Sequence, residues 1–178
     1  DWNWRDMDFD RDMPIVDARL DPILNDATRG SLGAFAARGG KLIVFHGLAD
    51  TLVAPGQSVA FFDRHARQMG GTGALAESAR LFLAPGMMHC GGGTGPDAFN
   101  TTLGIPPRPR SDDSQHDLFS ALIAWGHRGE APDRITATRF DSEDVGEIDM
   151  QRPLCPYPQR AVYRGTGSTS ATSSFRCE

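Results

Sequence analysis

The sequence predicts an α/β chain, with parallel strands, flanking helices and an irregular, disulfide-stapled C-terminal tail. Three observations carry this. The runs Leu42–Phe45 and Leu81–Leu83 are apolar on both alternations, as strands buried on both faces are. Between them Val59, Phe62, Ala66 and Met69 recur at helical spacing, giving the strand, helix, strand order of a parallel βαβ unit. Residues 165–174 are Gly, Ser and Thr only, apart from Ala171, a composition with little to bury.

Taken in order, residues 1–25 are rich in Asp and Trp without a clear period. They read as an extended lead-in anchored by Trp2, Trp4, Phe9 and Ile15. Asn25, Asp26 and Ser31 are capping types ahead of a short helix from Leu32 to Ala37, closed by Gly39-Gly40. The strand Leu42–Phe45 follows, then the helix through Val59 and Met69, which Gly70-Gly71 ends. After the strand Leu81–Leu83, residues 91–113 are dense in Gly, Pro and Asp and read as a long loop. Asp117 to Gly126 is a third helix with Leu118, Leu122 and Trp125 on one face. Ile135–Phe140 and Ala161–Tyr163 alternate like edge strands. No internal repeat is present, and one domain over residues 1–178 is expected.

Composition narrows the function classes. Of 178 residues, 39% are hydrophobic and 23% charged, which is ordinary for a globular chain. A net charge of -5 argues against a nucleic-acid partner, and no apolar run approaches the ~20 residues of a membrane span. The chain has no initiator Met and no leader-like segment, so it reads as mature, trimmed or partial. Of its three cysteines, Cys155 and Cys177 bracket the Gly/Ser/Thr tail. A bridge between them would contribute about 3 kcal/mol on the chain-entropy model and imply an oxidising compartment, secreted or periplasmic. The alternative is two unpaired surface thiols. Cys90 is left over, which suggests a partner elsewhere or a free thiol.

Each buried strand runs into a turn that carries chemistry. Leu42–Phe45 leads to His46-Gly47-Leu48-Ala49-Asp50, and Leu81–Leu83 leads through Pro85-Gly86 to Met87-Met88-His89-Cys90. An acid after one strand and a histidine after a later one is the order of the second half of an α/β-hydrolase triad. One crossover brings both turns to the same sheet edge, where Asp50 accepts the Nδ1 proton of His89 and Nε2 serves as general base. Taken singly, Asp50 reads as a cap for the helix near Pro55, and His89 as a structural loop residue. The first half of a triad is absent, since no Gly-x-Ser-x-Gly occurs in the chain. Leu48, Leu52 and Val53 flank the acid turn and face either substrate or the following helix. His46 is expected to order the acid turn by hydrogen bonding, and His65, His116 and His127 to be surface groups. His46, Asp50, His89 and Cys90 lack the spacing of a zinc site. Gly91-Gly92-Gly93 lacks the Lys-Ser/Thr of a phosphate loop and reads as flexible.

These residues resemble the C-terminal part of the tannase and feruloyl esterase family, which also includes terephthalate monoester hydrolases. The resemblance runs from Asn25-Asp26-Ala27-Thr28 through Gly39-Gly40-Lys41-Leu42, the acid turn, the His-Cys turn and Gly95-Pro96-Asp97-Ala98-Phe99 to Arg152-Pro153-Leu154-Cys155-Pro156-Tyr157-Pro158. It implies an α/β-hydrolase fold in which Asp50 is the triad acid and His89 the base. It implies that Cys90 bridges to a cysteine just before the nucleophilic serine, and that Cys155 and Cys177 form the C-terminal disulfide. In the family the serine, the oxyanion hole and a lid with a calcium site belong to an N-terminal half, none of which is in this chain. The resemblance therefore implies no cofactor within these residues, an aromatic ester as substrate, and a nucleophile-bearing segment as partner. The resulting expectation is a serine carboxylesterase acting on esters of aromatic or phenolic acids. A non-catalytic binding or structural subunit, and a redox or metal protein using Cys90, are the alternatives.

Overall fold

The structure, a computed structural model, describes residues 3–24, 30–99, 113–141, 144 and 146–178. The chain passes through a 3-10 turn at Trp4–Asp6, helices α1 (Phe9–Leu24) and α2 (Gly33–Ala37), strand β1 (Leu42–Gly47), helices α3 (Pro55–Met69) and α4 (Thr72–Ala76), strand β2 (Ala79–Ala84), and helix α5 (Leu118–Arg128). Strands β3 (Ile135–Phe140), β4 (Ile148–Leu154) and β5 (Ala161–Tyr163), a 3-10 turn at Thr172–Ser174, and strand β6 (Phe175–Cys177) complete it.

β1 and β2 pair in parallel, in register from Leu42 opposite Ala79 to Gly47 opposite Ala84. Alternate residues of the pair feed two apolar clusters. Phe82 and Ala84, with Ile43 and Phe45 against them, join Met87, Phe99, Leu118, Ala121, Ile135, Ala137 and Leu154. On the other side Ala79 and Leu81, with Leu42 and Val44, join Phe62, Ala66 and Leu75. Each large apolar side chain so covered contributes roughly 1.5–3 kcal/mol of transfer free energy. β2 is mostly buried, as its composition predicts, whereas Leu42–Phe45 of β1, expected to be buried on both faces, are only half-buried, and among the described residues β1 pairs on one side only. The crossover is cut to length by its own signals. Pro55 opens α3, where no amide partner is needed, and Gly70 closes it at φ 92 with its N–H on Ala66 O. Asp117 accepts the Ser120 amide at 2.7 Å to start α5.

β3 and β4 form an antiparallel pair, as do β5 and β6. The Cys155–Cys177 disulfide, with Cα atoms 5.6 Å apart, joins the end of β4 to β6 and closes the tail. From there the chain turns onto β2. Pro156 bridges Phe82, the Tyr157 amide donates to Leu81 O at 2.8 Å, and the Tyr157 ring meets Phe62 edge-on at 5.9 Å. The tail thereby covers the backbone of β2, the strand that leads to His89.

Several expectations are corrected. The N-terminal segment is helical over Phe9–Leu24, with Pro14 and Pro22 inside and no buried residue; Trp4, Phe9 and Ile15 are exposed and anchor nothing within the described residues. Phe9, Met13, Val16, Leu20 and Ile23 do lie at helical spacing, and a reciprocal cap starts the helix: Arg11 N donates to Asp8 Oδ1 at 3.0 Å while Asp8 N donates to Asp12 Oδ2 at 2.9 Å. The prolines mask that period. His65 is not a surface group. It is buried in the α3 stripe with Phe62 and Ala66, edge-on to Phe61 at 4.4 Å, and neither ring nitrogen has a partner among the described residues. His116 is partly exposed and bonded to Asp113, and His127 is exposed. Trp2, Asn25, Asp26 and residues 100–112 lie outside the described residues.

Replacing Cys155 and Cys177 together by Ser is expected to lower the unfolding free energy by about 3 kcal/mol, read from urea midpoints without reductant. A double variant as stable as the parent contradicts the stapling role.

Candidate active site

The parallel register sets the site. Gly47 and Ala84 are the last paired residues of β1 and β2, so the segments after them emerge side by side at one edge of the sheet. Ala49 N donates to Met87 O and Leu48 N to Ala84 O, each at 2.9 Å, sewing the two turns together. This closeness requires a glycine. A Cβ at position 47 would overlap the carbonyl oxygens of Met87 and Met88, which are backbone atoms that cannot swing aside.

The second turn is braced from behind by the glycines after it. Thr94 and Gly95 amides both donate to Gly86 O, at 3.0 and 3.2 Å, and Met88 N donates to Gly92 O at 3.1 Å. Side chains at Gly93 or Gly95 would overlap the carbonyls of Gly86 and Pro85. The Gly91-Gly92-Gly93 run is therefore a backbone clamp against the His89 turn, where sequence composition suggested a flexible loop. Farther on, Ala98 and Thr138 exchange two backbone bonds of 2.9 Å, which ties this segment to β3.

Within this frame Asp50 and His89 meet. Asp50 Oδ2 lies 2.8 Å from His89 Nδ1, and Oδ1 accepts the amides of Leu52 at 2.8 Å and Val53 at 2.9 Å. The Asp50 side chain is only 4% exposed, whereas His89 is 46% exposed. The Val53 amide, followed by the His89 ring and the Leu52 amide, holds the Asp50 carboxyl down at about 2 against the opposing pull of burial. An ionised Asp50 can only accept, so Nδ1 of His89 carries the hydrogen and neutral His89 presents the Nε2 lone pair away from the acid. Among the described residues Nε2 makes no hydrogen bond. This arrangement can take a proton at Nε2 and stabilise the resulting imidazolium.

His46 orders the acid turn, as the sequence suggests. Its Nδ1 lies 2.7 Å from Ser58 Oγ on α3, and its Nε2 lies 3.1 Å from Val53 O and 3.3 Å from Asp50 Oδ2. Leu48, Leu52 and Val53 are all exposed, Leu52 most of all at 76%. Met88 in the second turn is exposed as well. Cys90 is exposed, unpaired within the described residues, and held at φ 60, a left-handed conformation that costs a non-glycine residue about 1–2 kcal/mol. Ser58 and Gly47 had no signal in the sequence strong enough to single them out. Gly47 sits in the turn motif, but the overlap it avoids comes from a segment 40 residues on. Among the described residues no group of three or more His, Cys, Asp or Glu side chains is arranged to hold a metal ion. No helix of the described residues is long and apolar enough to cross a membrane.

Comparison with known proteins gives one answer. A family model described as "Tannase and feruloyl esterase" matches residues 6–178. The chain is 39% identical over 151 residues to mono(2-hydroxyethyl) terephthalate hydrolase of Piscinibacter sakaiensis, a match covering 85% of this chain and 22% of that protein. It is 32% identical over 178 residues to probable feruloyl esterase B-1 of Aspergillus terreus, covering 99% of this chain and 33% of the relative. The crystal structure of feruloyl esterase B from Aspergillus oryzae superposes on 100% of this chain and 34% of its own, with a TM-score of 0.87 and 26% identity. The chain thus spans a fifth to a third of the length of these relatives.

The depressed Asp50 carboxyl makes stability depend on pH. Its folded value of about 2 lies below the ordinary 3.8. The charged form's contribution is therefore complete above about pH 5 and fades as the pH falls toward 2. The stability gap between the parent chain and Asp50→Asn, from urea midpoints, is expected to be wider at pH 6 than at pH 3. A gap that is constant or widens on acidification contradicts this.

Proposed function

This chain belongs to the tannase and feruloyl esterase family of carboxylic ester hydrolases, and from that premise we propose that it supplies the acid and base of a serine carboxylesterase acting on esters of aromatic or phenolic acids. The observation that carries the reading is the 2.8 Å contact of Asp50 Oδ2 with His89 Nδ1, made by a buried acid and a ring whose other nitrogen is open. A serine hydroxyl, contributed by a segment outside these residues, gives its proton to His89 Nε2 as its oxygen attacks the ester carbonyl. The imidazolium, steadied by Asp50, returns that proton to the departing alkoxide and leaves an acyl-serine. Water then repeats the sequence, with His89 taking its proton and the serine leaving with one.

The need for a further segment is supported by the sheet as well as by the relatives' greater length. Leu42, Ile43, Val44 and Phe45 are apolar on both faces, yet all are only half-buried, and among the described residues β1 pairs on one side only. The exposed Leu48, Leu52, Val53 and Met88 lie in the two turns that carry the acid and the base. They are proposed to line the ester's path once that segment is in place. Cys90, one residue past the base, is proposed to bridge to a cysteine beside the serine. Such a bridge would lock the base turn to the nucleophile turn. A secreted or periplasmic location is supported by the Cys155–Cys177 disulfide. The aromatic acyl group is suggested by the names of the relatives, a terephthalate monoester hydrolase and feruloyl esterases. The calcium implied by the family resemblance is assigned to a lid outside this chain, and no step here is routed through it.

In the intact esterase that contains this segment, Asp50→Asn and His89→Ala are each expected to lower kcat on a ferulate or terephthalate monoester by about 10⁴-fold with the far-UV circular dichroism unchanged. Retention of kcat within tenfold in either variant would favour a purely structural segment.

A further inference from the structure

The acid turn holds a second imidazole that the proposed chemistry does not consume. His46 is buried, and its Nε2 faces two acceptors, Val53 O at 3.1 Å and Asp50 Oδ2 at 3.3 Å. A carbonyl can only accept, so Nε2 carries the hydrogen and shares it with the carboxylate. Neutral His46 then has its lone pair on Nδ1, where the Ser58 hydroxyl, 2.7 Å away on the first turns of α3, donates to it. The ring spans the end of β1, the last residues of the acid loop and the start of α3. Asp50 is thereby held on every side. Oδ1 takes two loop amides, and Oδ2 takes His89 while lying against His46. The amides fix one oxygen only. Rotation of the carboxylate about that oxygen would carry Oδ2 away from His89, and among the described residues His46 is the second imidazole within 4 Å of Oδ2, placed to oppose this with a hydrogen.

We propose that His46, anchored by Ser58, is a positioning residue that holds Asp50 Oδ2 beneath His89, so that the reactive alignment is set by a Ser58–His46–Asp50–His89 chain. This rests on the reading of Asp50 and His89 as acid and base. It adds that the alignment is made from α3 rather than from the loop amides alone. Loss of the anchor tilts the carboxylate and misorients the base, and a misplacement on the order of 1 Å at a reacting group costs about 100-fold in rate. Substrate contacts are untouched, so the effect falls on kcat and not on KM.

The test is steady-state kinetics on the intact esterase, with thermal unfolding of each variant. Ser58→Ala removes one hydrogen bond and is expected to lower kcat about tenfold, with KM and Tm nearly unchanged. Ser58→Thr, which keeps the hydroxyl, is expected to recover most of the loss. His46→Ala is expected to lose about 100-fold in kcat, and His46→Gln, which keeps a donor, to lose less. Should His46→Ala fail to fold, the Ser58 pair decides. An unchanged kcat in Ser58→Ala overturns the proposal, as does a loss that Ser58→Thr does not rescue or that appears equally in KM. Asp50→Asn and His89→Ala separate the two levels. If they abolish activity while Ser58→Ala does not lower it, only the positioning role falls; if they leave activity intact, both readings fall.

Discussion

A single missing side chain lets two turns touch. Gly47 ends β1 where the chain begins to bend toward Asp50, and its Cα lies against the carbonyls of Met87 and Met88. With any Cβ there, the backbones must separate. The Ala49 to Met87 bond of 2.9 Å would go first, and the 2.8 Å contact of Asp50 with His89 depends on it. Parallel pairing delivers both turns to one edge, which is coarse placement over several ångströms. Backbone contact at Gly47 reduces it to hydrogen-bond tolerance. The same device recurs on the far side of the second turn, where Gly86, Gly93 and Gly95 pack main chain on main chain. The base is thus carried by a turn clamped between two backbone surfaces.

Electrostatics follow from that geometry. A carboxylate withdrawn from water is unfavourable unless its oxygens are filled. Asp50 is filled by two amides, one imidazole in contact and a second imidazole close by. The two amides and the His89 ring keep it charged across the range in which a histidine base works. Because the acid is buried and the base half exposed, the imidazole reaches solvent on the side away from the acid. The tail supports the arrangement remotely. The Cys155–Cys177 bridge fixes the chain that lies on β2, and β2 leads directly into the base turn.

How much of this was legible in the sequence depends on where the information resides. β1 and β2 were readable because fully apolar strands leave a local signature. So was the Asp50 and His89 pairing, because one crossover between two parallel strands restricts where the turns can go. α1 was hidden by Pro14 and Pro22, although its apolar period and its Asp8 cap were both present. β4 leaves no local signature because Asp149, Arg152 and Pro153 break any alternation; its strand character comes from pairing with β3. His65 reads as a surface position on its helix, yet it lies three residues after Phe62 and one before Ala66, in the buried stripe. Ser58 and the clamp glycines act across gaps that no local pattern spans, so only the folded chain reveals what they touch.

The most direct test of the central claim is the state of the His89 ring in solution, by long-range ¹H–¹⁵N correlation on the parent chain and on Gly47→Ala near pH 8. In the parent, Nδ1 is expected to be protonated and hydrogen-bonded and Nε2 to bear the lone pair, with that signature lost in Gly47→Ala while core methyl resonances persist. An unchanged His89 signature in Gly47→Ala, or a parent ring with its proton on Nε2, contradicts the account.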